Sequence, residues 1–223
     1  MKKYIVTVLI LGLIIGCGDS TSPSGPQSGS DSAYYPLSVG NQWVYNRSGS
    51  TSVAGIPIST ISGENITDIT GQVSHGEGFL VYVQENDMSD TTETAGQVVV
   101  LDSTFTTYMN ITDAGIYSYV SLTGSDSVGF VPFPLEVGAT WQFSDEPPMT
   151  GEILSMSETV IVPGGTFENC LQMRLTWVDA TGVTVINVTD FAPNVGRVRN
   201  VLTLSYGTMV TTITSVLMSY SVN

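Results

Sequence analysis

The residues able to do chemistry are few and scattered. His75 is the one histidine, in the polar run Ser74-His75-Gly76-Glu77-Gly78, and no G-x-S-x-G elbow accompanies it, so a hydrolytic triad has nothing to assemble from. It reads as an exposed loop residue. Cys170 falls on the polar or concave face of an expected strand, between Glu168 and Gln172, where no lysine lowers a thiol pKa; it reads as a small packed residue. A zinc site needs ligands that the chain lacks. Carboxylates gather at Asp87, Asp90 and Glu93 and again at Asp145, Glu146 and Glu152. A glycosidase needs such a pair about 5 to 10 Å apart across a sugar cleft, and a calcium loop needs another spacing, so both groups read as solvated loop charge. Arg174, Arg197 and Arg199 are expected on strands, the last two sharing a face, and Arg47 in a loop, with nearby acids as partners. No catalytic, cofactor-binding or metal-ligating residue is assigned, and the chain reads as a non-enzyme.

Cys17 is the remaining reactive group, and its setting is specific. Lys2 and Lys3 precede an apolar run from Tyr4 to Ile15, too short to span a bilayer permanently, and Gly16 and Cys17 follow. This is the layout of an export signal over residues 1–16. Ile14-Ile15-Gly16-Cys17 resembles the lipobox of bacterial lipoproteins. The resemblance implies cleavage before Cys17, palmitate-type lipid on its thiol and amine, and, with Gly18 next, the outer membrane in preference to the inner. Residues 17–33 then form the lipidated cysteine and a flexible Ser, Gly, Pro and Thr tether with a reach of roughly 20 Å. With Cys17 lipidated, Cys170 has no partner, and a disulfide framework is excluded. Losing the leader removes both lysines and no acid, which leaves four arginines against 20 acids, a formal charge of −16. Such a surface repels nucleic acid and anionic headgroups, so the lipid anchor is the expected contact with the membrane.

The framework that must position these groups is organised by a stretch that occurs twice. Tyr35-Pro36-Leu37-Ser38-Val39-Gly40-Asn41-Gln42-Trp43-Val44-Tyr45 returns 98 positions later as Phe133-Pro134-Leu135-Glu136-Val137-Gly138-Ala139-Thr140-Trp141-Gln142-Phe143, with seven of eleven positions shared. Each copy reads as a Pro-led approach, a Gly turn, and a strand whose Trp and next aromatic point to one face. Pro36, Leu37, Gly40 and Trp43, with Pro134, Leu135, Gly138 and Trp141, are therefore expected core anchors, one set per half.

The rest of the chain reads as strands. Asn46 to Gly55 is an expected polar loop, and Ile56 to Val73 reads as strands broken by a turn at Gly63-Glu64-Asn65. Phe79 to Val83 and Val98 to Leu101 are apolar on both faces, with Glu85 to Gly96 between them read as an acidic loop. Thr104 to Ile111 and Ile116 to Leu122 flank a hairpin turn. In the second half Leu154, Met156, Val160 and Val162 share a face, and Phe167, Leu171, Met173, Leu175 and Trp177 alternate cleanly with polar residues. Val183 to Val188 follows, again apolar on both faces; Val198, Leu202, Leu204 and Tyr206 are then expected to face the core opposite Arg197 and Arg199. β-branched residues dominate throughout, so the expectation is an all-β, strongly curved antiparallel sheet, half-barrel or barrel-like, of roughly eleven or twelve strands. It forms one domain over 34–223, with two pseudo-repeated halves, 34–131 and 132–223, as an open division.

Two more segments complete a resemblance. With the paired aromatic-Pro motifs, Val162-Pro163-Gly164-Gly165-Thr166-Phe167-Glu168-Asn169-Cys170 and Phe191-Ala192-Pro193-Asn194-Val195-Gly196-Arg197-Val198 resemble a family of bacterial lipoproteins of unknown function. The resemblance implies a curved sheet related in outline to the half-barrels of periplasmic lipoprotein carriers, which hold acyl chains in their concave face. Gly165, Phe167, Pro193 and Gly196 are assigned to folding, since the glycines permit unusual backbone angles and Pro193 stiffens a turn. The leading functional expectation is a lipid-anchored envelope protein that binds an apolar ligand or an envelope partner protein through the curved sheet. A structural or adhesive surface module is the second expectation, and a hydrolase of envelope glycans the third. Oligomeric state is not legible.

Overall fold

A computed structural model describes residues 31–123, 129–145 and 147–223. The leader, Cys17 and the tether through residue 30 lie outside the described residues. The described chain opens with a 3-10 turn, Asp31–Tyr34, and continues as twelve strands: β1 (Gln42–Val53), β2 (Ile56–Ser74), β3 (Leu80–Thr94), β4 (Gln97–Thr112), β5 (Gly115–Tyr119), β6 (Gly129–Pro132), β7 (Thr140–Asp145), β8 (Pro148–Val162), β9 (Gly165–Val178), β10 (Thr184–Ala192), β11 (Gly196–Tyr206) and β12 (Met209–Ser221). They form one sheet in the order β6-β5-β4-β3-β2-β1-β12-β11-β10-β9-β8-β7, each pair antiparallel. The edge strands β6 and β7 meet where the Trp141 indole N–H donates to the Phe130 carbonyl at 2.5 Å. The sheet is therefore a nearly closed barrel, and the expected all-β architecture is what the chain adopts.

The two motif copies occupy equivalent places, one leading into β1 and the other into β7. In the first, Gly40 N–H donates to Ile69 O, Ile69 N–H to Asn41 O, and Asn41 N–H to Ser38 O. In the second, Gly138 N–H donates to Ile153 O, Ile153 N–H to Ala139 O, and Ala139 N–H to Glu136 O. Gly40 at φ 93° and Gly138 at φ 84° make the same left-handed turn, which a side chain would resist. Leu37 and Leu135 are both buried beneath it, and Val39 and Val137 both point to solvent. Trp43 donates its indole N–H to Val195 O at 2.6 Å, and Gly196 leaves room for Pro36 and that indole. The copies differ in burial: Tyr35 and Trp43 are buried where Phe133 and Trp141 are half-buried, and Pro134, expected as a core anchor, is exposed, next to a Phe133–Pro134 peptide that is cis.

The apolar core gathers at this end of the barrel. Tyr35, Leu37, Tyr45, Ile69, Met109 and Leu217 are among its fully buried side chains. The fold already includes residues ahead of Tyr34: the Asp31 carboxylate accepts from Leu135 N–H at 3.0 Å, and Ala33 O accepts from Asn194 N–H.

Several expected loops and turns are strand. Asn46 to Val53 continues β1, and Glu85 to Thr94 completes β3, because each pairs on both sides in long hairpins. No turn interrupts β2 at Gly63; that glycine makes room for a contact across the strand, described next. Tyr206 is 56% exposed rather than in the core, since it ends β11 at a hairpin tip.

Candidate functional site

Strand registers place the inner-face residues in rows across the barrel. The row through Trp43 and the row through Tyr45 belong to the core end. The next row is polar: Asp90, Gly63, Arg47, Ser215, Asn200 and Thr189 lie opposite one another from β3 to β10. Arg47 reaches past Gly63 to Asp90, with Nε to Oδ1 at 2.8 Å and Nη2 to Oδ2 at 2.9 Å, and its Nη1 lies 3.4 Å from Ser215 Oγ. Both partners are buried, and a buried pair of charges persists only when such bidentate geometry offsets desolvation. Asn200 completes the belt by donating to Thr189 Oγ1 at 2.9 Å and to Asn187 Oδ1. On the core side of it Asn65 donates to Thr67, and Thr67 to Asn86, at 3.1 and 3.0 Å.

Beyond the belt the barrel is open on one side. The next row runs Ile213, Gly49, Ile61, Thr92, Val99. Ile213 is buried; Val99 is 63% exposed. The reason is topological: β5 pairs only with Tyr108–Thr112 of β4, so among the described residues Gln97–Thr107 has β3 on one side and no strand on the other. Eleven residues of edge correspond to about 35 Å of unpaired strand. Val98, Val99, Val100 and Leu101 lie on this edge between 57% and 63% exposed, two on each face. The neighbouring hairpin tips add Val53 and Ile56 at the β1–β2 turn and Met209 and Val210 at the β11–β12 turn, with Val53 opposite both Ile56 and Met209. A free strand edge that carries exposed apolar side chains is the feature on which this chain offers something to bind.

The residues singled out for chemistry do not meet there. His75 is buried at 2% exposure, not exposed: its ring stacks on Phe79 at 4.6 Å and meets Tyr119 at 4.9 Å, because the loop folds back through a His75–Phe79 backbone bond. Cys170 is free and fully buried, although the alternation of β9 assigned it to the polar face. Asn169 at φ 54° and the register shifts between β8 and β9 turn Cys170 inward beside Leu171. Burial pushes its thiol up to about 11, with the Asp190 charge adding to the effect. Burial likewise raises the Tyr45 phenol, opposed by Arg197, whose guanidinium lies 4.0 Å from the Tyr45 ring centroid.

The carboxylate groups are also separated. Asp90 faces inward to Arg47 while Asp87 faces outward and accepts from Thr104 Oγ1 at 2.7 Å. Glu152 pairs with Arg174, and Glu146 lies outside the described residues. Arg199 holds Asp190 at 2.7 Å, whereas Arg197 is buried over Tyr45, so the two do not share a face as expected; a register shift between Asp190 and Phe191 on the facing strand separates them. Arg47 is on β1, not in a loop. Of the residues assigned to folding, Gly165 and Gly196 adopt φ 147° and 92°, Phe167 packs half-buried against the core, and Pro193 is half-buried in the β10–β11 turn.

No family model matches the chain, and no curated protein does. Among solved structures, it is similar to a protein from Bacteroides fragilis described as exported with a YmcC-like fold, at 14% identity and TM-score 0.43, over 83% of this chain and 97% of that one. It is similar also to a protein from Parabacteroides distasonis described as a lipoprotein, at 14% identity and TM-score 0.40, over 87% of this chain and 100% of that one. At such identity no residue role passes from either to this chain.

Proposed function

We propose that this chain is an exported, lipid-tethered cell-envelope protein without catalytic activity that holds a partner protein at the open end of its barrel. The observation that carries the reading is the uncovered apolar edge from Val98 to Leu101. Export and tethering rest on the Lys2-Lys3 start, the apolar run and the Gly16-Cys17 end, with the outer membrane as the preferred site. The inner face argues against an acyl chain as the occupant. An apolar ligand entering from the open end would meet the buried Arg47–Asp90 pair and the Asn200–Thr189 belt before it reached the core, which the chain fills with its own Tyr35 and Leu37.

Native mass spectrometry of the full chain released from membranes in mild detergent tests this. The expected species carries the lipid of Cys17 and nothing apolar besides. A second, stoichiometric lipid or fatty acid held by the folded chain would overturn the protein-partner reading in favour of a carrier.

A further inference from the structure

We infer that the partner docks as an added strand on β4, and that its docking segment is extended and basic, with apolar residues alternating with Lys or Arg. This deepens the partner reading and rests on it. The backbone of Gln97–Thr107 offers N–H and C=O groups on its free side, which an extended segment satisfies as a sheet neighbour does.

The two faces of the edge set the chemistry of the incoming strand. On the inner face the period-two set includes Val99, Leu101 and Phe105, with Ser103 between the last two, so inward side chains of the guest meet largely apolar surface. On the outer face the register carries carboxylates. Asp102 lies opposite Ser89 and then Glu64, Thr106 opposite Glu85 and then Asp68, Thr104 opposite Asp87, and Val98 opposite Glu93. Six carboxylates thus share the outer surface of β2, β3 and β4, and no arginine does. All four arginines are engaged elsewhere: Arg47 inside with Asp90, Arg174 with Glu152, Arg199 with Asp190, Arg197 over Tyr45. The only other cations in the sequence are Lys2 and Lys3. A second copy of this chain, which brings a formal charge of −14 over the full sequence and −16 without the leader, is the wrong guest for this edge. Outward lysines or arginines on a foreign strand are the right one.

The test uses the full chain and three fluorescent ten-residue peptides: one alternating Val or Thr with Lys, one with Glu in place of Lys, and the Lys peptide with a central Pro. The Lys peptide is expected to bind, to weaken as salt rises, and to slow amide exchange along residues 97–107. The Glu and Pro peptides are expected to fail. Asp102→Asn and Glu93→Gln, both at exposed positions, should each weaken the Lys peptide about two- to five-fold. The variant carrying Val98→Lys and Val100→Lys should fold and lose it. Equal binding of the Glu peptide, unchanged binding by that double variant, or a stable homodimer paired through β4 would overturn the inference. If a cellular protein crosslinks at β4 while the Lys peptide does not bind, the inference fails and the partner reading stands; absence of any crosslink at β4 removes the reading itself.

Discussion

Arg47 and Asp90 meet over a strand that lies between theirs. They stand on β1 and β3, both in register with Gly63 of β2, and the guanidinium crosses to the carboxylate at 2.8 and 2.9 Å because Gly63 has no side chain to block it. A Cβ at Gly63 would lie 2.3 Å from Asp90 Oδ1 and 2.2 Å from Ser89 O. This pair begins the polar belt that closes the core end off from the open end.

Removing one partner leaves the other charge buried and alone. Asp90→Leu is expected to cost about 3 to 5 kcal/mol in urea unfolding. Adding Arg47→Met to it should recover most of that loss, since two apolar side chains need no mutual charge. Gly63→Ala should destabilise by a comparable amount through the clash. A double variant no more stable than Asp90→Leu alone would show that the belt is not held by this pair.

Trp43 and Trp141 give a second prediction. Trp43 is buried and bonded to Val195 O, whereas Trp141 is half-buried, lies against Gly151 and bonds to Phe130 O across the seam. Trp43→Phe should cost about 1 to 3 kcal/mol by leaving that carbonyl unmet. Gly151→Ala places a Cβ 2.3 Å from the Trp141 indole, so it should shift tryptophan fluorescence and loosen the β6–β7 seam. Hydrogen exchange at Gly129–Pro132 reads the seam directly.

Cys170 and the buried phenols predict how stability depends on pH. The folded thiol titrates at about 11 against a reference of 9.0, and Tyr45 is raised in the same direction. A group whose folded value is raised stabilises fully below its unfolded value, and the contribution fades as pH climbs towards the folded value. The unfolding midpoint should therefore fall between pH 9 and about 11, and Cys170→Ala should remove part of the fall. At pH 8 a thiol reagent should leave Cys170 untouched until urea unfolds the chain.

The exposed edge should not pair copies of this chain with one another. Light scattering at high concentration should find the chain monomeric, because the carboxylates beside the edge repel a second copy. Val100→Lys should leave stability within about 0.5 kcal/mol, because Val100 is 58% exposed. A wild-type dimer that Val100→Lys abolishes would contradict this.

Much of the fold was legible because period-two alternation and the doubled aromatic-Pro motif are local signals. Trp43, Leu37 and Gly40 could be assigned from one copy and checked against Trp141, Leu135 and Gly138 in the other. Hairpin length was not legible. Asn46–Val53 and Glu85–Thr94 are polar, and only pairing on both sides holds them in strands. The Arg47–Asp90 pair was hidden for the same reason, though a glycine in mid-strand at Gly63 was the available signal. His75 misled because a polar sequence does not reveal aromatic neighbours such as Tyr119, 44 positions away. Val98–Leu101 was read as apolar on both faces, and that pattern does not distinguish a strand buried in a sheet from one left at its edge.

The edge is where the account is most exposed to refutation. A photoreactive amino acid placed in turn at Val98 and Val100 of β4, and at Ile161, an exposed residue of β8, would be irradiated in cells that carry the tethered chain. The account predicts one discrete protein adduct at the two β4 positions and none at Ile161. Lipid adducts alone at β4, or the same protein captured equally from Ile161, would contradict it.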